Sequence, residues 1–179
     1  MIGLDALFWT FIILFAIIGA LRGWAKEILV TFAAILSLFI ISVLESFVPF
    51  IRDNLVPASG PPIFWLRVGM MSALVFFGYQ TPNLPKLAGT GRFLRDKFQD
   101  TMLGFFLGAI NSYLFWGSIW FYLDKIHYNF SVITAPAEGT SAFEAAQQLL
   151  PLLPPNWIGT PVIYFAVAIA FAFLLVVFI

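Results

Sequence analysis

An uninterrupted apolar run at residues 161–179 constrains the fold more than any other feature of the sequence. The run contains no charged residue and no glycine, and Tyr164 is its one strong hydrogen-bonding side chain. At about 1.5 Å of helical rise per residue, a helix of this length is roughly long enough to cross a bilayer core of about 30 Å. The sequence therefore predicts a membrane-spanning helix here.

The composition of the whole chain supports a membrane protein. Of the 179 residues, 61% are hydrophobic and 10% are charged, whereas soluble domains carry about 25% charged residues. Nine Lys and Arg balance nine Asp and Glu, so the net charge indicates no nucleic-acid partner. The chain has no cysteine, which excludes disulfides and thiolate chemistry.

Four further apolar segments precede the terminal run, at residues 4–21, 28–47, 63–79 and 102–123. We read the first as an uncleaved helix, because no positive region precedes it and no small-residue cleavage site follows it. The fold class that we predict is an all-α integral membrane protein, a polytopic bundle of about five transmembrane helices. Its parts are a four-helix membrane domain (1–123), an outer loop (124–160) and a fifth transmembrane helix (161–179).

The distribution of basic residues predicts how the chain is oriented in the membrane. One side carries six of them, namely Arg22, Lys26, Lys86, Arg92, Arg95 and Lys97. The opposite side carries three, namely Arg52, Arg67 and Lys125. Because short cytoplasmic loops carry the excess of Lys and Arg, we expect the N-terminus outside and the C-terminus in the cytoplasm.

Two connecting segments have a character of their own. Residues 80–100 mix leucines with basic residues at helical spacing, which predicts a short amphipathic helix on the inner surface, with a solvated basic loop as the alternative. In the outer loop, residues 141–150 predict a short helix. The proline-broken stretch that follows should lie along the outer interface, anchored by Trp157.

Polar and small residues within the apolar segments are the next candidates. Glu45 and Arg67 stand near the outer ends of two segments, and we expect a structural ion pair between them. Two pairs of glycines are spaced by four residues, Gly19 with Gly23 and Gly104 with Gly108. This spacing favours close helix packing, either within the chain or at a dimer face. Asn111 and Ser112 extend the second glycine face, which should pack inward or line a narrow polar path.

Residues with catalytic potential are few. His127 is the one histidine, and a single ligand without companions is poor support for a metal or haem site. Ser131 or Ser141 could be combined on paper with His127 and Asp124 or Glu144, but no nucleophile-elbow glycines frame either serine. We therefore expect no enzymatic activity, no cofactor and no metal.

Two groups of residues together resemble the colicin V production (CvpA) family of small bacterial inner-membrane proteins. The first group consists of Asp5, Gly19, Arg22, Gly23 and Glu27. The second group, which opens a later membrane helix, consists of Asp100, Gly104 and Gly108. The resemblance covers roughly residues 1–123. The chain departs from the family at Thr101, where a basic residue is common, and at Asn111 and Ser112, where a basic residue and a glycine are common.

The resemblance implies a non-enzymatic, multi-pass protein of the bacterial plasma (inner) membrane. Such a protein would act in envelope homeostasis or export, through helix packing and partner binding. Its partners would be the lipid bilayer and other membrane subunits, or a second copy of the chain. Two alternatives stay open: an accessory subunit of a larger respiratory or photosynthetic complex, and a small transporter or channel.

Overall fold

The computed structural model describes residues 3–80, 97–131 and 133–178, and these residues are mostly helical. The longer helices are α1 (Leu4–Arg22), α2 (Trp24–Phe47), α3 (Pro61–Tyr79), α4 (Lys97–Lys125), α5 (Ser141–Leu149) and α6 (Val162–Phe178). Short helical turns lie at Ile51–Leu55, Val56–Ala58, Leu150–Leu152 and Pro154–Trp157. No β-strand occurs in these ranges, so the prediction of an all-α fold is confirmed.

Four helices, α1 to α4, are long and apolar enough to cross a membrane. The terminal run also forms a helix, α6, but its 17 residues fall short of the length of the other four. At about 1.5 Å per residue α6 spans roughly 26 Å. Four helices of this kind fit a multi-pass membrane protein.

Two helices begin earlier than the apolar runs predict. Helix α2 starts at Trp24 rather than near residue 28, and α4 includes Lys97 rather than starting near residue 102. A charged residue lies just before each of these apolar runs, Glu27 before the first and Asp100 before the second. The helix nevertheless includes that residue, because an acidic side chain is favourable in a first helical turn. The end of the predicted amphipathic segment is thus part of α4, while residues 81–96 lie outside the described residues.

Helix α2 lies at the centre of the helix bundle, in contact with α3, α4 and α6. Gly78 of α3 brings that helix close to α2, because a Cβ at Gly78 would lie 3.2 Å from the Cα of Val30. Helix α6 packs on the other side of α2 through aromatic rings. The Phe39 and Tyr164 rings meet edge to face, with centroids 5.8 Å apart.

The segment between α4 and α6 folds back onto the long apolar helices. Helix α5 is present at the predicted position, and Thr140 caps it by accepting a hydrogen bond from the Phe143 N–H at 3.3 Å. After α5, Leu153 is buried, with 1% of its surface exposed, and lies beside Gly117 of α4. Trp157 donates a hydrogen bond from its Nε1 to the hydroxyl of Tyr113 on α4 at 3.0 Å. These contacts attach the proline-broken stretch to α4.

Candidate functional site

The backbones of α1 and α4 approach each other closely at three glycines. Gly19 of α1 lies against Gly104 and Gly108 of α4. A Cβ on Gly19 would lie 2.8 Å from the Cα of Gly108, a separation that real Cβ atoms essentially never show. Only glycine leaves room for this contact, and it is the type of helix packing that small residues permit in membranes. The glycine face of α4 is therefore occupied within the chain.

A single residue, Gly23, joins α1 to α2. Its φ of 85° lies in a region that side chains with a Cβ rarely adopt. The Trp24 N–H donates a hydrogen bond to Oδ1 of Asp100 at 3.1 Å, so a carboxylate of α4 binds the N-terminus of α2. A Cβ on Gly23 would lie 2.8 Å from the other Asp100 oxygen. Asp100 of α4 therefore packs directly against the turn between α1 and α2.

Just beyond this turn, Glu27 is completely buried, with 0% of its surface exposed. Nη1 of Arg22 donates to its Oε1 at 2.6 Å, and Nδ2 of Asn111 donates to its Oε2 at 2.8 Å. The Asn111 amide also donates to the Glu27 carbonyl at 3.0 Å, and its Oδ1 accepts from the Thr31 hydroxyl at 2.6 Å. Both carboxylate oxygens are therefore hydrogen-bonded, as a buried charge requires.

Arg22 extends the cluster to α3. Its Nη2 donates to the carbonyl of Tyr79 at 3.2 Å, and its guanidinium carbon lies 4.3 Å from the centroid of the Tyr79 ring. A cation is favourable at that position because the last carbonyls of a helix lack partners within the helix. We call Arg22, Glu27, Thr31, Tyr79 and Asn111 the polar cluster. It connects α1, α2, α3 and α4 at one end of the bundle.

The structure brings together seven of the eight residues that carry the family resemblance. These are Gly19, Arg22, Gly23, Glu27, Asp100, Gly104 and Gly108. The eighth, Asp5, lies in the first turn of α1. It is seventeen residues before Arg22, which corresponds to about 25 Å of helix. Asp5 therefore takes no part in the polar cluster, and at its own position it complements the helix dipole.

Glu45 and Arg67 meet at the opposite end of the bundle. Nε of Arg67 donates to Oε1 of Glu45 at 2.6 Å, and the guanidinium lies 5.0 Å from the Tyr122 ring centroid. The two side chains are partly exposed, at 12% for Arg67 and 23% for Glu45. This pair joins the end of α2 to the start of α3.

The sequence analysis does not identify Thr31 and Tyr79 as members of the polar cluster, and it does not identify the role of Asn111. It places Asn111 on an inward face of its helix, but does not identify it as the partner of Glu27. Thr31 stands four residues after Glu27 and so lies on the same helix face, a spacing that could have pointed to it. Tyr79 contributes a backbone carbonyl and a ring face, and neither leaves a signal in the sequence.

The catalytic combination around His127 is not formed in the described part of the chain. His127 is exposed and has a φ of 54°. Its imidazole makes no hydrogen bond with the side chains of Asp124 or Ser131 there. Within the same residues, no group of three or more His, Asp and Glu side chains could hold a metal ion.

Fold and site together describe a helical multi-pass membrane protein whose first four long helices meet at a buried ion pair. Comparison with protein-family models, with curated proteins and with solved structures finds no match to this chain. Any functional assignment therefore depends on the geometry of the polar cluster and of the three glycines.

Gly108→Ala tests the contact between α1 and α4. We expect it to lower the free energy of unfolding by about 1–3 kcal/mol, because the new methyl group would overlap the backbone of α1. Gly69→Ala on α3 is the matched control, since nothing lies within 4 Å of a Cβ there. It should raise the stability by up to about 1 kcal/mol, through the higher helix propensity of alanine. SDS titration of the purified protein in detergent measures both, and equal effects would contradict the close contact.

Glu27→Leu tests the polar cluster. It should destabilise the protein by about 3–5 kcal/mol, because the partly buried Arg22 guanidinium loses its counter-charge and Asn111 loses its carboxylate acceptor. Glu27→Gln keeps an acceptor for Asn111 and should cost less, about 1–3 kcal/mol. The exposed pair of Arg52 and Asp53 provides a control, in which hydrogen bonds from Arg52 lower the pKa of Asp53. Asp53→Asn should leave the unfolding midpoint unchanged, and a Glu27→Leu variant of wild-type stability would refute the role of the cluster.

Proposed function

We propose that this chain is a non-enzymatic protein of the bacterial inner membrane, similar to the colicin V production family. It acts in envelope homeostasis or export by packing its helices into a fixed bundle that binds a membrane partner. The arrangement of the described side chains does not support a catalytic role. The contacts among α1, α2 and α4 support a role in helix packing.

One observation carries this proposal. The two groups of residues that resemble the family lie about eighty positions apart in the sequence, yet they meet at one point of the fold. Asp100 hydrogen-bonds to the backbone next to Gly23, and Gly104 lies against Gly19. The resemblance rests on residue identities alone, so their meeting in space independently supports the view that they act as one unit.

The departure at Asn111 also has a physical interpretation. Where the resembled family often carries a basic residue, this chain has an amide that donates to the buried Glu27 carboxylate at 2.8 Å. Arg22 already supplies a positive charge to that carboxylate at 2.6 Å. We propose that a neutral donor at residue 111 completes the hydrogen bonding without adding a second charge to the membrane interior.

The proposed orientation follows from where the basic residues lie. Arg22, Lys26 and Lys97 belong to the end of the bundle at which α1 ends and α2 and α4 begin, whereas Arg52, Arg67 and Lys125 belong to the other end. The further basic residues that favour a cytoplasmic location for the first end fall within 81–96. This distribution supports an N-terminus outside and a C-terminus in the cytoplasm.

Helix α6 offers the surface most suited to a membrane partner. It packs against α2 on one side, while large apolar side chains cover its other side, including Phe165, Ile169 and Val176 at 67%, 69% and 82% exposure. In a membrane, such a surface contacts lipid or another apolar helix. We propose that α6 is the side on which other subunits bind, with lipid covering the remainder.

Complementation tests the function. The wild-type chain, expressed in a bacterium that lacks its own colicin V production protein, should restore growth on a membrane-perturbing detergent. Gly104→Leu combined with Gly108→Leu should abolish this rescue, because two leucines cannot fit between α4 and α1. Gly69→Leu, which faces open space on α3, should rescue like the wild type. Failure of the wild-type chain to rescue, or full rescue by the double variant, would count against the proposal.

Single-cysteine labelling tests the orientation, with no background because the natural chain has no cysteine. A membrane-impermeant maleimide applied to intact spheroplasts should label Asn54→Cys and Asn129→Cys, which lie at the outer end. Gln80→Cys and Gln99→Cys should react only after the membrane is permeabilised. All four positions are exposed in the structure. The reverse pattern would show that the orientation is inverted.

Purification in a mild detergent separates the proposal from its alternatives. A monomer or dimer of the 20.0 kDa chain, or a complex with a partner protein that lacks cofactors, agrees with the proposal. A stoichiometric, pigment- or haem-containing complex would instead identify an accessory subunit. Solute flux through liposomes containing the purified chain alone would identify a transporter or channel.

A further inference from the structure

A cavity of about 490 Å³ lies at the end of the bundle where α2 ends and α3 begins. Residues of α2, α3 and α4 line it, together with the segment that leads into α6. We call it the interfacial cavity, because Lys125 on its wall is the last residue of α4, and a spanning helix reaches the headgroups where its charged residues begin. Its volume is typical of small-molecule sites. Ligand binding here does not depend on the proposed role in the bacterial envelope.

The interfacial cavity carries an excess of positive charge. Among the described residues, its charged side chains are Arg67, Lys125 and Glu45, so two positive charges face one negative charge. Glu45 accepts the hydrogen bond from Nε of Arg67 at 2.6 Å. Lys125 forms no ion pair within the described part of the chain, and its ammonium lies 5.0 Å from the centroid of the Phe121 ring on the same wall. One positive charge is therefore left for a ligand to match.

Two groups deeper in the wall have hydrogen-bond donors to spare. The Arg67 side chain is 12% exposed, and its Nη1 and Nη2 donate to no described group. Tyr122 is 5% exposed, and its hydroxyl also lacks a partner among the described residues. The guanidinium carbon lies 5.0 Å from the Tyr122 ring centroid, so these donors are neighbours. The protein does not enclose their unpartnered atoms, so a ligand in the cavity can reach them.

The chemistry of these donors favours a phosphate group. The two terminal nitrogens of Arg67 form a planar fork that matches two phosphate oxygens. The Tyr122 hydroxyl supplies a further donor, and Lys125 supplies the second positive charge. A phosphodiester carries a single negative charge, which equals the excess in the interfacial cavity.

The interfacial cavity changes from polar to apolar with depth. On α2, Glu45 and Ser42 line the part near the end of the helix, whereas Ile41 and Leu38 line the deeper part. Leu38 and Glu45 are seven residues apart, about 10 Å of helix. A free phosphate ion would use only the polar part. A phospholipid would also place apolar carbons against Ile41 and Leu38, so the gradient favours a lipid.

We propose that the interfacial cavity binds the headgroup of an anionic phospholipid of the phosphatidylglycerol type. Its phosphodiester oxygens accept hydrogen bonds from Arg67 and Tyr122 and form an ion pair with Lys125. The first carbons of an acyl chain lie against Ile41 and Leu38. Glu45 holds the Arg67 guanidinium in position through Nε, which leaves both terminal nitrogens for the lipid.

Lipid-dependent thermal unfolding of the full chain in dodecyl maltoside tests the proposal. Dioleoylphosphatidylglycerol should raise the unfolding midpoint by about 5–10 °C at a hundredfold excess over its dissociation constant. Dioleoylphosphatidylcholine has the same chains and a phosphate, but its choline cancels the negative charge. About ten times more of it should be needed for the same rise. Inorganic phosphate at the same concentration should produce no rise.

Two variants remove one binding group each. Lys125→Gln and Tyr122→Phe should both require about 3–10 times more phosphatidylglycerol for the same rise. Lys125→Gln should also narrow the difference between phosphatidylglycerol and phosphatidylcholine, because it removes the excess charge. A loss of stability alone would not change this preference.

Matched variants elsewhere in the chain control for these changes. Lys97→Gln at the opposite end of the bundle and Tyr164→Phe on α6 alter residues that do not line the interfacial cavity. Both should respond to phosphatidylglycerol like the wild type.

Three results would overturn the proposal. The first is an equal response to phosphatidylcholine, and the second is a phosphatidylglycerol response that Lys125→Gln and Tyr122→Phe leave unchanged. The third is a rise with inorganic phosphate that equals the rise with phosphatidylglycerol, which would identify a site for free phosphate instead. If Tyr122→Phe does not fold, Lys125→Gln decides the matter, because its side chain is exposed.

Discussion

The close approach of α1 to α4 is the contact on which the rest of this structure depends. Apolar side chains gain little by leaving lipid for another helix, so packing distance and hydrogen bonds decide which helices associate in a membrane. Gly19 and Gly108 allow the two backbones to meet. Asn111, three residues after Gly108, is thereby held within 2.8 Å of Glu27, and Asp100 is held at the start of α2. The close packing at Gly19 and Gly108 therefore positions both the Asn111–Glu27 and the Asp100–Trp24 hydrogen bonds.

The two ion pairs that join helices, Arg22 with Glu27 and Arg67 with Glu45, lie at opposite ends of the bundle. At one end Glu27 is fully buried and has partners for both oxygens, so its charge is satisfied without water. At the other end Glu45 and Arg67 remain partly exposed, and water can share in their solvation.

Some features of this structure can be predicted from the sequence and others cannot. Apolar runs predicted the helices, because length and hydrophobicity determine what can cross a bilayer. They placed the starts of α2 and α4 too late, since a charged residue ends an apolar run without ending a helix. The partnership of Glu27 with Asn111 links residues 84 positions apart, and helical spacing reports only on neighbours within one helix. The carbonyl of Tyr79 was beyond prediction, because every residue carries one.

The single-residue link at Gly23 has a consequence for how the protein is made. Synthesis runs from the N-terminus, so the residues of α1 and α2 are made before residue 111. During that interval Glu27 has no amide from α4. Arg22, five residues away across the Gly23 turn, is already present and can neutralise the carboxylate at once. The Arg22–Glu27 pair needs only α1 and α2, whereas the second carboxylate oxygen of Glu27 gains its hydrogen bond only when α4 is in place.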